Sequence, residues 1–540
     1  MADKSTAEII IEQLLLYDID TLYCLPGVQS DNFFNALFDY QDRLKPLHVR
    51  HEQSAAYMAL GAAMATGQPQ AFCVVPGPGF LNACAALSTA YAVNAPVFAL
   101  VSQIGSGALG KGFGHLHEIP DQLGIMKTLT KHAARVTSPE EAVTELRACF
   151  DALLSGRPRP VAIEVPMDCW AKRSDVKVPE EPIKPNNPHL DLASIERAAD
   201  LLAGAKNPMI VVGGGAREAS ADLRRLAEYL QAPVSAFRNG QGIMDARHYL
   251  SVTSPLGNKL WKECDVVLGI GTRLQPQIQM WGSDDKLKII RIEVDEKEMH
   301  RIRIPDVGIL ARAEKAVPAL LNAMNFHPPH PSREAEMTEM KSLQLAEYEK
   351  LTPQYDYLNA IRTALPEDGI FVDELTQVGY VSRFAYPVYE PRTFLSTGYQ
   401  GTLGWGFASA LGAKSAMPDK VVLSISGDGG FMFTASELAT AIRHNIGVIA
   451  VVFNDNAFGN VRRIQIEDYD GRTIASDLNS PDFVKLADAF GVESCRAASP
   501  AALQQEIEKA IERGGPTLIE VPMEDVPSPW SYIMLPKVRG

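Results

Sequence analysis

The chain is poor in cysteine. Its seven cysteines in 540 residues (Cys24, Cys73, Cys84, Cys149, Cys169, Cys264 and Cys495) are scattered, odd in number and never spaced C-x-x-C. This excludes a disulfide scaffold, and the apolar surroundings of most of them suit buried free thiols in a reducing compartment. Positive charge is also short, with 51 Lys and Arg against 65 Asp and Glu and a net charge of −14. Nucleic acid and anionic membrane surfaces are therefore poor partners. No apolar run reaches membrane-spanning length. The segment Ile9–Tyr17 is apolar but broken by Glu12 and Gln13. It reads as an amphipathic helix and not as a signal peptide, so the cytoplasm is the expected location. Low-complexity segments and short repeats are lacking too.

What is present describes an ordinary globular protein of several cores, with 46% hydrophobic and 21% charged residues. Two proline-rich stretches read as linkers, Val178–Pro188 and His327–Pro331. They divide the chain into expected domains at 1–180, 190–326 and 350–540. Each part alternates short β-branched runs with Ala-rich helical segments, which predicts an α/β protein of three consecutive doubly wound parallel sheets. In the middle part the expected strands are Met209–Val212, Val266–Gly269 and Ile289–Val294.

The third part carries the sharpest chemistry. Ser426-Gly427-Asp428-Gly429-Gly430 follows the apolar run Val421–Ser426, and Asn454-Asp455-Asn456 follows Val448–Phe453. Between them Thr434–His444 reads as a helix with Leu438, Ala441 and Ile442 on one face. In a parallel sheet Asp428 and Asp455 both emerge at carboxyl ends of strands, where open α/β sheets bind ligands. The glycines expose backbone N–H groups to a phosphate. Two carboxylates beside such a cradle suit Mg²⁺, which takes few protein ligands and completes its shell with phosphate oxygens. Each turn alone is also ordinary Gly/Asx turn chemistry.

This pair of turns resembles the diphosphate motif of thiamine diphosphate (ThDP) enzymes, a GDG followed by paired asparagines. Here Asp455 stands at the second position of that pair, adding a negative charge near the diphosphate. The resemblance implies Asp428, Asp455 and the Ala457 carbonyl as metal ligands. Gly427, Gly429, Gly430 and Gly459 would line the cofactor. It extends over essentially the whole chain and names the domains pyrimidine-binding, central and diphosphate-binding.

Other segments resemble the same family. Arg50-His51-Glu52 opens the Ala-rich helix Gln53–Thr66. Glu52 reads from the residues alone as an acid at a helix N-terminus. The resemblance makes it the catalytic glutamate, which hydrogen-bonds N1′ of the aminopyrimidine and promotes the tautomer that removes the C2 proton. An apolar pocket would raise its pKa for that task. Pro76–Asn82 resembles the GPG-x-x-N turn, with Asn82 opening a helix to Tyr91. Gly398–Gly404 resembles the pyrimidine clamp. There Gly401 would accept from the 4′-amino group and Leu403 would bend the cofactor, unless Leu403 is a plain core residue.

Pro26-Gly27-Val28-Gln29 lies at a first-strand-to-helix turn, with Pro26 a cofactor-binding candidate and Gln29 a substrate-facing one. His115 and His117 with Glu118 are further substrate-facing candidates in a Gly-rich loop. Gln29 stands where benzaldehyde lyase relatives carry a His, and an amide is a poor proton shuttle. The two histidines are candidates for proton transfer. Asn460 and Ile464 stand where acetolactate synthases carry Met and Trp. The tail around Pro529–Met534 reads as a packed terminus or a lid. Gly105–Lys111 imitates a P-loop, but Gly112 replaces the required Ser or Thr. Gly213-x-Gly215 and Gly269-x-Gly271 lack the third glycine of a dinucleotide fingerprint. They are compatible with the FAD site of acetolactate synthases, but Asn239–Leu260 does not resemble the FAD-contacting pattern, so no required FAD is expected.

The resemblance implies an enzyme that decarboxylates a 2-oxo acid and ligates the acyl carbanion to a second carbonyl, as acetolactate synthases do. A C–C lyase or simple decarboxylase of the same family is the alternative. An NAD-dependent dehydrogenase or an inactive binding protein is the reading from another class. A homodimer or homotetramer with the active site between subunits is implied as well.

Overall fold

The computed structural model describes residues 2–540. A short strand β1 (Ala2–Ser5) leads into the first sheet, β2 (Thr21–Cys24), β3 (Lys45–His48), β4 (Gln70–Val74), β5 (Val97–Gln103), β6 (His132–Arg135) and β7 (Val161–Pro166). Their order is β3-β2-β4-β5-β7-β6 and every pairing is parallel. β8 (Arg173–Val176) returns to pair antiparallel with β1. The second sheet holds β9 (Pro208–Val212), β10 (Val234–Ala236), β11 (Ser251–Val252), β12 (Val266–Ile270), β13 (Lys288–Glu293) and β14 (Val307–Leu310). It runs β11-β10-β9-β12-β13-β14, again all parallel. The third holds β15 (Ile370–Val372), β16 (Phe394–Leu395), β17 (Val422–Gly427), β18 (Val448–Asn454), β19 (Glu493–Arg496) and β20 (Thr517–Pro522). Its order, β16-β15-β17-β18-β20-β19, repeats the topology of the first sheet. The expected fold class, three parallel α/β domains, is what forms.

The β-branched and apolar runs are strands because parallel strands are covered on both faces and need no alternation. β4, β5, β7 and β12 are buried along their whole length. Each sheet has an interior reversal of strand order, between β2 and β4, β9 and β12, and β15 and β17, and the first and third reverse again at an edge, where β7 and β20 lie inside β6 and β19. Such reversals open a crevice at the carboxyl ends of the strands.

The first and third domains meet through two Ala-rich helices, Glu52–Thr66 and Trp405–Ala416. Their backbones touch. A Cβ added to Gly61 would lie 2.0 Å from the Ser409 carbonyl oxygen, and one on Gly412 would lie 1.9 Å from that of Met58. Tyr23 Oη bonds Ser415 Oγ at 2.8 Å across the same junction. The central domain is tied in by ions. Arg157 pairs with Glu293 at 3.2 Å and Glu298 at 3.1 Å, all buried.

Three local expectations change. The helix at Ile9–Tyr17 is Thr6–Leu16 and is not amphipathic, since Ile9, Ile10, Ile11, Gln13 and Leu14 are all buried. Gln13 is satisfied there by donating to the Pro179 carbonyl, a contact from the linker that no local pattern shows. The helix expected over Thr434–His444 is a 3₁₀ turn, Ala435–Glu437, then Leu438–Arg443. Leu438 and Ala441 are buried, but Ile442 is 42% exposed. The helix after Pro76 starts at Pro78, not Asn82, and runs to Val93, because proline suits the first helical turn.

Val178–Pro188 contains no helix or strand. The C-terminal tail is docked. Tyr532 stacks on Phe384 with centroids 5.6 Å apart, and Val538 N–H donates to the Trp281 carbonyl of the central domain at 2.9 Å. No helix among the described residues is long and apolar enough to cross a membrane.

Candidate active site

The predicted site residues all lie at carboxyl ends of strands in the first and third sheets, and they form two groups. In the first domain, Glu52 opens its helix, with His51 Nδ1 accepting from Gln53 N–H as the cap. Asn82 Nδ2 donates to Glu52 Oε2 at 3.0 Å. Gly79 lies beside them, where an added Cβ would come within 3.4 Å of Glu52 Oε1. Within one chain Glu52 is half-buried, not enclosed in an apolar pocket. Pro26 is exposed at the reversal after β2. Gln29 is buried and donates to the Leu116 carbonyl at 3.1 Å, while its Oε1 has no partner.

That bond anchors the loop carrying the histidines. His117 adopts φ 69° and its carbonyl oxygen would be 2.3 Å from a Cβ on Gly77. The loop is thus pressed on the Pro76–Gly79 turn, and His117 Nδ1 is buried without a partner. His115 is exposed. Glu118 is occupied: its carboxylate accepts from the N–H groups of Gly112, Gly114 and His115 at 3.0, 2.7 and 2.9 Å. These bonds, the one from His115 foremost, hold its carboxyl below the ordinary range. It shapes the loop and is spent as a proton donor. Residues 109–121 contain no helix, so the P-loop imitation fails as expected.

The second group lies in the third domain. Gly427 ends β17 and caps the short helix Asp428–Phe431. The N–H groups of Gly429 and Gly430 lie in its first turn and have no partner within it. The glycines serve close packing more than backbone freedom. A Cβ on Gly429 would be 2.7 Å from the Phe458 ring, and one on Gly430 2.2 Å from Glu374 Oε1. A Cβ on Gly459 would be 2.5 Å from Asp455 Oδ2.

Asp428 and Asp455 stand within hydrogen-bonding reach of each other. Burial, and then the Asp428 charge, push the Asp455 carboxyl from its ordinary 3.8 up to about 6. Asp428 Oδ2 accepts from Ser480, while Oδ1 is buried with no partner. Ala457 sits in an isolated bridge to Asp477. The bonds of that bridge run from Phe458 N–H to the Ser476 carbonyl and from Leu478 N–H to the Asn456 carbonyl. They leave the Ala457 carbonyl unused. Two facing carboxylates, an orphaned oxygen and an open carbonyl form a donor set fitted to a hard divalent cation. Among the described residues no group of three or more His, Cys, Asp or Glu could hold a metal.

The clamp segment has left-handed glycines at 398, 401 and 404, with φ of 64°, 60° and 76°. Leu403 is half-buried at its tip, so it is not a plain core leucine. The segment leans on the far end of the Pro78–Val93 helix, with Thr402 Oγ1 3.3 Å from Thr89 Oγ1. Asn82 and Glu52 are two helical turns away, about 10 Å at 1.5 Å per residue.

Sequence reasoning missed three neighbours. Glu374 and Gln377 follow β15, and Gln377 Nε2 would be 2.7 Å from a Cβ on Gly459. Ser480 comes from a loop far along the chain. The pair Asp373-Glu374 ends a short apolar run as Asp428 does, a signal that was present in the sequence; nothing local marks Ser480.

Comparison with known proteins gives the family. Residues 4–125 match the thiamine pyrophosphate enzyme N-terminal TPP binding domain, residues 195–320 the central domain, and residues 376–521 the C-terminal TPP binding domain. A probable acetolactate synthase large subunit from Methanocaldococcus jannaschii is 32% identical over 96% of this chain and 93% of its own. A probable 2-ketoarginine decarboxylase from Pseudomonas aeruginosa is 29% identical over 96% and 94%. The acetolactate synthase isozyme 1 large subunit of Escherichia coli is 29% identical over 95% and 93%. With all three domain models in order along its length, the chain belongs to the thiamine pyrophosphate-dependent enzymes, in their acetolactate synthase-like branch.

Proposed function

We propose that the protein is a ThDP- and Mg²⁺-dependent carboligase that decarboxylates a 2-oxo acid and joins the acyl unit to a second carbonyl. The observation that carries this reading is the facing pair Asp428 and Asp455 beside the Gly429–Gly430 turn, with Glu52 and Asn82 paired in the other domain. The bound cofactor would supply a carbon nucleophile that accepts the carbonyl and stores its electrons after loss of CO₂. The chain's own part is binding, orientation and proton control. Asp428, Asp455 and the Ala457 carbonyl would hold the metal. The N–H groups of Gly429 and Gly430 would take phosphate oxygens. Glu52 would hold a proton at the pyrimidine. His117 Nδ1, buried and unpartnered, would donate to the substrate carbonyl in its Nδ1–H form. Gln29 Oε1, also buried and unpartnered, would accept from a substrate hydroxyl, and His115 and His117 would exchange protons with the substrate.

The same reading makes the enzyme a homodimer or homotetramer, with Glu52 of one chain completing the diphosphate half of another. In its support, Glu52 is half-buried, and among the described residues its one side-chain hydrogen bond comes from Asn82 of its own domain. We keep the domain division at 1–180, 190–326 and 350–540. We expect no required FAD. In the central domain the Gly213–Gly215 turn is overlaid by Arg217, which donates to the Asn239 carbonyl at 3.0 Å. All seven cysteines are free, in keeping with our assignment to the cytoplasm. A lyase or simple decarboxylase is the second reading, since one relative is named a decarboxylase.

The test is an NMR-followed incubation with ThDP and Mg²⁺, offering pyruvate and other short 2-oxo acids with and without an aldehyde. CO₂ release with a new C–C bond is expected. Consumption of a hydroxyketone or diketone, with every 2-oxo acid untouched, would replace the carboligase by a lyase.

Metal binding should depend on pH in a defined direction. The Asp455 value is raised, so the metal-free fold holds a proton between about pH 4 and 6 that the unfolded chain releases. The stability from that proton is full below pH 4 and lost as pH rises through 6. Mg²⁺ must displace the proton, so its affinity should fall about tenfold per unit below pH 6. Calorimetric titration at pH 5, 6 and 7 measures this, and equal affinities at pH 5 and 7 would contradict the shared metal role of the two carboxylates.

A further inference from the structure

Glu374 is a fully buried carboxylate just beyond β15. Both of its oxygens are used. Oε1 accepts from Gly404 N–H at 2.8 Å, and Oε2 accepts from Gly406 N–H at 2.9 Å and from Ser426 Oγ at 2.8 Å. Gly404 and Gly406 bracket the start of the Trp405–Ala416 helix, and Gly404 is the last residue of the clamp. Ser426 opens the turn that carries Asp428. The carboxylate is also pressed against Gly430 and Gly406, where Cβ atoms would lie 2.2 and 2.6 Å from its oxygens. From the same Gly430 position Leu403 Cδ2 is 3.7 Å away. One side chain therefore joins the segment expected to hold the cofactor's rings to the turn expected to hold its phosphates.

We propose that Glu374 is a positioning residue for the cofactor, fixing the Gly398–Gly404 clamp against the Ser426–Gly430 turn so that the ring-holding and phosphate-holding walls keep a set separation. This rests on the ThDP reading above. The physical reason is the difference in stiffness among the partners. Ser426 belongs to a central strand and Gly406 to a helix, whereas the clamp carries left-handed glycines at 398, 401 and 404. A bond lost at Glu374 leaves a buried N–H unpaired. The compensating movement falls on the clamp, and Leu403 moves with it.

The test compares two ligands on the purified full-length protein in Mg²⁺ by calorimetry. ThDP engages both walls, and inorganic pyrophosphate engages only the turn. Glu374→Gln keeps the volume but sets an amide N–H₂ against a main-chain N–H. It should weaken ThDP about tenfold or more, with pyrophosphate changed less than about threefold. Leu403→Ala should also weaken ThDP, and the double variant should be little worse than the poorer single, because both act through one contact. Additive losses would overturn the assignment. So would a parallel loss of pyrophosphate, which a merely structural role would produce. Should Glu374→Gln not fold, Ser426→Ala removes one of the three donors and carries the same cycle with Leu403→Ala, where additivity again counts against it. Wild-type protein that binds pyrophosphate but not ThDP would sink the ThDP reading itself.

Discussion

Replacing Glu52 by Ala should lower turnover by about 10²–10⁴-fold, the range for loss of a positioned acid–base group. ThDP should stay bound, because the carboxylates proposed to hold the metal and the glycine turn lie in the other domain. Glu52 has one side-chain hydrogen bond among the described residues, from Asn82 at 3.0 Å. It is half-buried at the start of a helix otherwise held by buried Ala, Met and Leu side chains. The loss should therefore be chemical, with little change in folding. Glu52→Gln keeps the hydrogen bond from Asn82 but cannot hold and return a proton. It should be nearly as inactive as Ala, and that similarity separates proton handling from simple positioning. The check is steady-state turnover alongside calorimetric ThDP binding. Activity within about threefold of wild type would remove Glu52 from the mechanism. Loss of ThDP binding in step with activity would make it a binding residue instead.

The second large effect is on the fold. Gly412→Ala should destabilise the protein by about 4 kcal/mol or more, as overpacking against rigid neighbours does at its worst. The added Cβ would sit 1.9 Å from the Met58 carbonyl oxygen and 2.5 Å from its Cα. Both helices are buried between two sheets and neither backbone has room to withdraw. Loss of soluble protein or a large fall in melting temperature is expected. Gly107→Ala is the control, since a Cβ there meets nothing within 4 Å. It should melt with the wild type. A Gly412→Ala protein that melts with the wild type would mean the two helices are not in backbone contact.

Much of this molecule is legible in the linear chain for a simple reason. Strand ends, turn glycines and buried parallel strands are local signals, carried by a few adjacent residues. Val448–Phe453 read as a strand and Asp428 as a strand-end acid without any knowledge of neighbours. The order of three α/β units follows from the same alternation, with proline-rich segments between them. Errors arose where a distant segment covered a local face. Gln13 looks like a break in an apolar helix, but the Pro179 carbonyl accepts its side-chain hydrogen bond. Ile442 matched the helical period but faces outward, because the segment is split into a 3₁₀ turn and a short helix.

The sequence by itself determined the fold class, and it pointed to Asp428, Asp455 and Glu52 as the acids we propose for metal and proton. Only the tertiary structure decided how each group is used. Glu118 and His117 are neighbours in one loop, yet three backbone N–H groups claim the first while the second keeps a buried ring nitrogen unpartnered. Asp373-Glu374 reads as two acids at a strand end, and nothing local says that one of them reaches across to Gly404, Gly406 and Ser426. The physical reason is that residue type and spacing set what a side chain can donate, accept or bury. Which partner it finds depends on segments brought together from far along the chain, whose contacts leave no mark in its neighbouring residues.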